Sequence, residues 1–528
     1  PERLTGGGRA VANLGHILAI DVGTGAVRAA LFAADGRLLS SVASVPYEPQ
    51  WVPERPDFSQ VDPAAWLDAI ETAIGILRAE SSLGSVAAVG VSGLFPALIA
   101  FDSAGHPLGP AILYSDRRSQ TELEAIRLAG IGEAMEQLTG SALTPGTTSV
   151  TSLLWLRNHE PATFARATTV GHVNTLIGHW LTGQWGMDRS NASLTGLFDT
   201  RAGHWSATLC SALGIDLGLL PPLIEGSRPV GALLAPAANH LGLPEGIPVA
   251  MGGGDTLCAA LGCGATAPGD FYISSGTTDT LGLCLDRYAY DPRLYCCGHV
   301  VPDRYVSIAP MTYTGGCLRW FVSQFCGEAD YAALERAASD VPPGSGGLVF
   351  LPYLKGERSP VHDPDARGVY FGLTDTTTRD AMGRAVLEGV AYGIRHCLEA
   401  MEQAHSVRVA ELVVVGKPGR SGLWNQIKAN VTGRRVRALG FDERSLLGAA
   451  VTGALAAGLL RAETEAGGRL AGLEAFLAPH AAAERVYDPG DETRAIYDRL
   501  YGVFTDLYTV ARGAGLFERL YDTGTHRP

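Results

Sequence analysis

The sequence predicts an α/β protein in two domains, and three observations predict it. Strand-like and helix-like segments alternate along the chain. The stretch Phe271–Leu285, FYISSGTTDTLGLCL, repeats the grammar of the opening HILAIDVGTGAVRAALF about 250 residues later: an apolar strand, a small-residue turn and a second apolar strand. At 528 residues and 46% hydrophobic content, the chain is long enough for more than one core.

Taken in order, Ile17, Ala19, Leu31 and Phe32 lie in strand-like runs joined at Asp21-Val22-Gly23-Thr24-Gly25, and Asp35-Gly36 is a hairpin signal. Two or three antiparallel strands therefore open the fold. Val86–Gly93 and Ala97–Phe101 read as further strands, Ser115–Leu128 as a charged helix, and Thr151–Asn158 and Val173–Leu181 as helices with apolar residues at helical spacing. The second half predicts strands at Tyr305–Pro310, Leu348–Leu351 and Glu411–Val415. It predicts helices at Arg379–Ala404 and Leu423–Val431, with Ala450–Leu459 closing that half. Arg494–Leu507 is helical by pattern and is expected to pack back on the body.

Composition removes several classes. A net charge of −13 and a pI near 5.5 argue against a partner with a phosphate backbone. Nine cysteines, with no CxxC pair and with Cys296 beside Cys297, indicate neither a disulfide framework nor a zinc site, and favour a reducing, cytoplasmic setting. The longest apolar candidate, Leu446–Leu460, is too short to span a bilayer and suits a helix buried between other elements. Residues 1–13, polar and glycine-rich without an apolar core, read as a disordered leader.

The two Gly-Thr turns carry the chemistry. Successive backbone N–H groups in such a turn form a concavity for phosphate oxygens, and two turns facing across a cleft would grip a nucleotide's phosphates from both sides. Asp21 precedes the first turn, where a carboxylate can hold Mg²⁺ directly or through water. Arg28 follows it, either offsetting charge on a transferred group or serving as an ion-paired strand residue. In MGGGDTLCAALGCG, three glycines set Asp255 at or near a helix N-terminus. It is either a cap or a base for a substrate hydroxyl.

The order of these pieces resembles the FGGY carbohydrate kinases of the actin, hexokinase and Hsp70 ATPase superfamily. The most specific match is LPYLKGERSPVHDPDARGVYFGLT, Leu351–Thr374, followed by RAVLEGVAYGIRHCLE. The resemblance implies two ribonuclease H-like (actin-like ATPase) domains flanking a deep catalytic cleft, over residues 14–264 and 265–465; residues 466–528, beyond it, are expected from their pattern to be a helical extension. It implies Asp255 as general base, Asp21 on the magnesium of MgATP, and Gly23, Thr24 and Gly25 with Ser275, Gly276, Thr277 and Thr278 around the phosphates. Gly315, Gly416, Lys417, Gly419, Ser421 and Asn425 are the remaining nucleotide contacts it implies.

Two motifs depart from the family pattern. Phe95 and Pro96 stand where xylulose kinases carry Met and His, and Lys417-Pro418 replaces two glycines of the adenosine loop. Tyr114 stands for a family Trp, and Asp116 is either a reader of sugar hydroxyls or a turn and N-cap acid. The expected reaction is ATP-dependent phosphorylation of a small sugar or polyol, foremost a ketopentose such as xylulose. Ribulose, glycerol and erythritol are alternative acceptors. An actin-like ATPase and a non-catalytic sugar sensor are alternatives of another class. The expected partners are the sugar and ATP/ADP, with a homodimer left open and neither nucleic acid nor membrane.

Overall fold

The computed structural model describes residues 15–520 except 51, 328–330, 466 and 482–483, so the reading of residues 1–13 falls outside the described residues. The first lobe is built on strands β1 (His16–Val22), β2 (Ala26–Phe32), β3 (Ala43–Pro46), β4 (Val86–Gly93), β5 (Pro229–Ala232), β6 (Pro248–Ala250) and β7 (Gly253–Gly254). Their order is β5-β6-β4-β1-β2-β3, with β7 against β4. The β1–β2–β3 ribbon is antiparallel, and β4 joins β1 in parallel. Both faces of β1 are covered, which accounts for its nearly continuous apolar run. Leu18, Ile20 and Val22 pack with Trp66, Ile70 and Ile74 of α1 (Pro63–Glu80), whereas Ile17 and Ala19 pack with the opposite layer.

The second lobe repeats this plan. Strands β8 (Phe271–Ser275), β9 (Asp279–Leu285), β10 (Tyr295–Gly298), β11 (Tyr305–Met311), β12 (Glu411–Val415), β13 (Arg435–Ala438) and β14 (Arg485–Tyr487) run in the order β10-β11-β9-β8-β12-β13-β14. Again the hairpin β8–β9 is antiparallel and β12 joins β8 in parallel. Two sheets with one grammar make this the two-domain fold that the repeated hairpin predicts.

Four helices position the site: α2 (Arg189–Ser193), α3 (Asp255–Gly262), α4 (Gly315–Phe325) and α5 (Gly422–Thr432). A fifth, α6 (Arg444–Ala456), corrects the expectation for Ala450–Leu459. It does not merely close the second half, because Leu446 and Ala450 share a core with Ile17 and Ala19 of the first sheet and with Tyr272 and Val413 of the second. Small residues allow this approach: a Cβ on Gly448 would lie 1.9 Å from the Cys258 carbonyl oxygen, and one on Gly262 2.1 Å from that of Arg444.

Other boundaries differ less. The helix expected at Ser115–Leu128 begins only at Gln120, because residues 115–119 form a turn around Asp116. The tail supplies a strand that the pattern did not reveal, β14, and a long helix, Asp491–Gly513, whose Tyr497, Tyr501 and Phe504 pack on Tyr392. Among the described residues, no helix is long and apolar enough to cross a membrane.

Candidate active site

In the first hairpin Asp21 and Arg28 are register partners, and the Gly23 N–H donates to the Ala26 carbonyl at 3.0 Å to close the turn. The Tyr47 hydroxyl donates to the Gly23 carbonyl. Thr24 and Gly25 remain exposed at the tip, and a Cβ on Gly25 would meet no protein atom within 4 Å. Asp21 is buried and accepts the Ser92 hydroxyl at 2.7 Å. Burial pushes its pKa up to about 7, with the Asp255 and Glu443 charges adding and Ser92 and Arg28 opposing. Arg28 stands 3.7 Å from Asp21 and 3.0 Å from Glu443.

The second hairpin pairs Ser275 with Asp279, and the Gly276 N–H donates to the Thr278 carbonyl at 2.9 Å. Thr277 and Thr278 are exposed at its tip. The start of α4 is pinned beneath it, since Thr314 and Gly316 both donate backbone N–H groups to the Thr277 carbonyl at 3.0 Å. Gly315 and Gly416 are backbone-packing positions: a Cβ on either would lie 2.1 Å from the Gly276 oxygen or 2.0 Å from the Ser275 oxygen. Gly416 also has φ +91°, a left-handed conformation that favours glycine.

Asp255 is the first residue of α3, and Gly254 takes the cap position, so the carboxylate is not an N-cap. Its Oδ1 accepts the Thr256 N–H at 2.6 Å and the Thr256 hydroxyl at 3.2 Å. Burial raises its pKa to about 6 against those hydrogen bonds. Two glycines set its position. Gly252 has φ +69° and packs on the Val91 carbonyl, while a Cβ on Gly254 would lie 2.4 Å from the Phe95 ring. Burial pushes the Tyr47 phenol up to about 12, with the Asp255 and Asp21 charges adding. Ser92 of β4 is the register partner of Asp21 on one side and of Gly253 on the other, which brings Asp21 and the GGGD loop to one end of the first sheet. Pro96 is buried beside Phe95, and Tyr114 is half-buried.

Asp116 spends its carboxylate within the protein. It is fully buried; Arg118 donates from Nε at 2.9 Å to Oδ1 and from Nη2 at 2.8 Å to Oδ2, and the Ser59 N–H donates at 2.6 Å. Two residues of the adenosine loop also make hydrogen bonds within the protein. The Ser421 hydroxyl caps α5 by accepting from the Trp424 N–H at 3.1 Å and donates to Glu335 at 2.8 Å, while Asn425 is buried and donates to the Gly419 carbonyl at 2.6 Å. Lys417 is exposed and Gly419 buried in a short turn that ends at Arg420.

Sequence reasoning missed Glu443, Tyr47, Ser92 and Arg319, whose Nη2 donates to the Thr277 hydroxyl at 2.5 Å. Each lies far in sequence from the group it touches, and no local motif signals it.

The chain matches the model described as FGGY family of carbohydrate kinases, N-terminal domain, over residues 16–262, and the C-terminal domain of that family over 271–457. A xylulose kinase of Escherichia coli K12 is 30% identical over 492 residues, covering 92% of this chain and 99% of that protein. A xylulose kinase of Staphylococcus xylosus is 27% identical over 498 residues, covering 94% and 100%. The crystal structure of xylulose kinase from Rhodospirillum rubrum superposes with a TM-score of 0.84 at 31% identity, covering 95% of this chain and 100% of that one. Likeness of this extent, in sequence and in fold, has one reading: the chain belongs to the FGGY family of carbohydrate kinases.

Proposed function

We propose that this kinase transfers the terminal phosphoryl group of MgATP to a hydroxyl of a small ketose, with xylulose the foremost acceptor. The observation that carries the reading is Asp255. It opens a helix on a glycine-walled loop, its pKa is raised to about 6 by burial, and its loop ends at the same end of the first sheet as Asp21, across Ser92. A carboxylate with that pKa is ionised near neutral pH and basic enough to take a proton from an attacking hydroxyl.

The transfer is positioning and charge screening. Backbone N–H groups at the exposed tips, Thr24 and Gly25 in one turn and Thr277 and Thr278 in the other, hold phosphate oxygens from either lobe. Arg28 and Arg319 bring a cation to each turn, at 3.7 Å from Asp21 and 2.5 Å from Thr277 respectively. Among the described residues no group of three or more His, Cys, Asp or Glu forms a metal cage. Mg²⁺ rides on nucleotide phosphates and needs only one or two protein carboxylates. Asp21 is the residue that would hold it, and the ion would neutralise charge on the phosphates. Phe95, packed against Gly254, supplies an apolar wall beside Asp255.

The test is ADP release with xylulose, ribulose, glycerol and a hexulose. Acceptor-dependent release that is fastest with xylulose supports the reading. Release that none of them stimulates contradicts it.

A further inference from the structure

Behind the catalytic loop runs a chain of buried polar side chains. Asp188, Ser190 and Asn191 open α2, and Ser149 and His172 continue the chain away from the cleft; all five are at most 2% exposed. The Ser190 hydroxyl donates to Asp188 Oδ1, and the Asn191 amide donates to Asp188 Oδ2 at 2.6 Å. Because Asn191 spends its Nδ2 on Asp188, its Oδ1 is the acceptor for His172 Nδ1 at 2.9 Å. His172 Nε2 then accepts the Ser149 hydroxyl at 3.1 Å. Every donor in the chain points toward the Asp188 carboxylate.

One consequence reaches the active site. With its proton committed to Asp188, Ser190 Oγ presents only lone pairs, and the Gly254 N–H donates to it at 2.9 Å. Gly254 immediately precedes Asp255. The approach is tight: a Cβ on Gly253 would lie 3.2 Å from Ser190 Oγ and 3.6 Å from Asp188 Oδ1. Asn174 holds the same loop from the other side, donating to the Met251 and Gly253 carbonyls at 3.1 and 3.3 Å. At the far end of α2, Ser193 accepts the Gly298 N–H of β10 at 3.0 Å, so the helix also touches the second lobe.

We propose that Ser190 is a positioning residue for Asp255: the Asp188-anchored chain fixes it as an acceptor, and its bond to the Gly254 peptide aims the carboxylate at the sugar hydroxyl. This rests on Asp255 acting as the base. A misaimed base slows the chemical step while leaving both substrates bound.

The experiment is a double-mutant cycle on the full chain, with xylulose and ATP as probes. Ser190→Ala is expected to lower kcat by about 10-fold to 100-fold with both KM values within about twofold. Ser190→Cys, close in volume but a weak acceptor, is expected to fall in the same direction, so a folding failure in one variant still leaves a reading. In an Asp255→Asn background Ser190→Ala should change kcat no further, because it acts through the carboxylate. A full additional loss in that background would mean a general structural role and overturn the proposal. So would an unchanged kcat in Ser190→Ala while Asp255→Asn is impaired. Near-normal turnover of Asp255→Asn itself would instead sink the base assignment on which the proposal stands.

Discussion

Arg28 Nε lies 3.0 Å from Glu443 Oε2, which ties the second strand of the first phosphate hairpin to the start of the helix that serves both lobes. The side chains are 30% and 34% exposed, so the pair is worth at most about 1 kcal/mol of stability. Its effect on Asp21 is electrostatic. Arg28 lowers the Asp21 pKa and Glu443 raises it. Arg28→Ala should move the acid limb of the kcat/KM profile to higher pH, and Glu443→Gln should move it to lower pH. Shifts in the same direction would separate Asp21 from that limb.

The pKa of Asp21 carries a stability consequence whose sign is definite. Its folded pKa is about 7 against an unfolded value near 3.8. Between those values the folded state binds the extra proton, so this stabilising contribution is present below pH 3.8 and is lost as pH rises through 7. Asp21→Asn should therefore stabilise the ligand-free protein at pH 8, by on the order of 1–4 kcal/mol, and flatten its pH dependence. Denaturant melts at several pH values check this; a destabilised variant at pH 8 contradicts it.

Asp116 should behave as a folding residue. Removing it leaves Arg118 buried without its partner, at a cost of about 3–5 kcal/mol. Asp116→Ala is expected to lose most of its effect when Arg118→Met is added. A sugar KM that rises in Asp116→Ala without loss of stability would return Asp116 to sugar recognition.

Pro418 sits in the first turn of a short helix, where its missing N–H costs nothing, and its ring is 3.5 Å from where a Cβ on Gly315 would stand. Pro418→Gly should leave the KM for ATP within about twofold and lower stability by about 0.4–1 kcal/mol through the unfolded chain. A marked gain in ATP affinity would mean that the proline distorts the nucleotide loop.

The parts of the site written as contiguous motifs were legible in the sequence. The two hairpins and the GGGD loop announce themselves by strand periodicity and glycine, and the structure sets Asp21 and the GGGD loop on either side of Ser92 at one end of the first sheet. What could not be read is where a polar side chain spends its hydrogen bonds. Asp116 looks like a ligand contact in one dimension, yet Arg118 and the Ser59 N–H claim its carboxylate. Glu443 and Ser92 reach Arg28 and Asp21 only after the chain has folded. The strand Arg485–Tyr487 is too short to show a period, and it forms because β13 offers it an edge. The double role of α6 was hidden for another reason, since a small-residue helix reads as buried without saying between which partners.

The most direct test of the account is xylulose-dependent ADP release by Asp255→Asn, with ATP and sugar binding measured on the same preparation. Loss of turnover by about 10²–10⁴-fold with both ligands still bound is the result predicted for a positioned base. Turnover near that of the unaltered enzyme would contradict it.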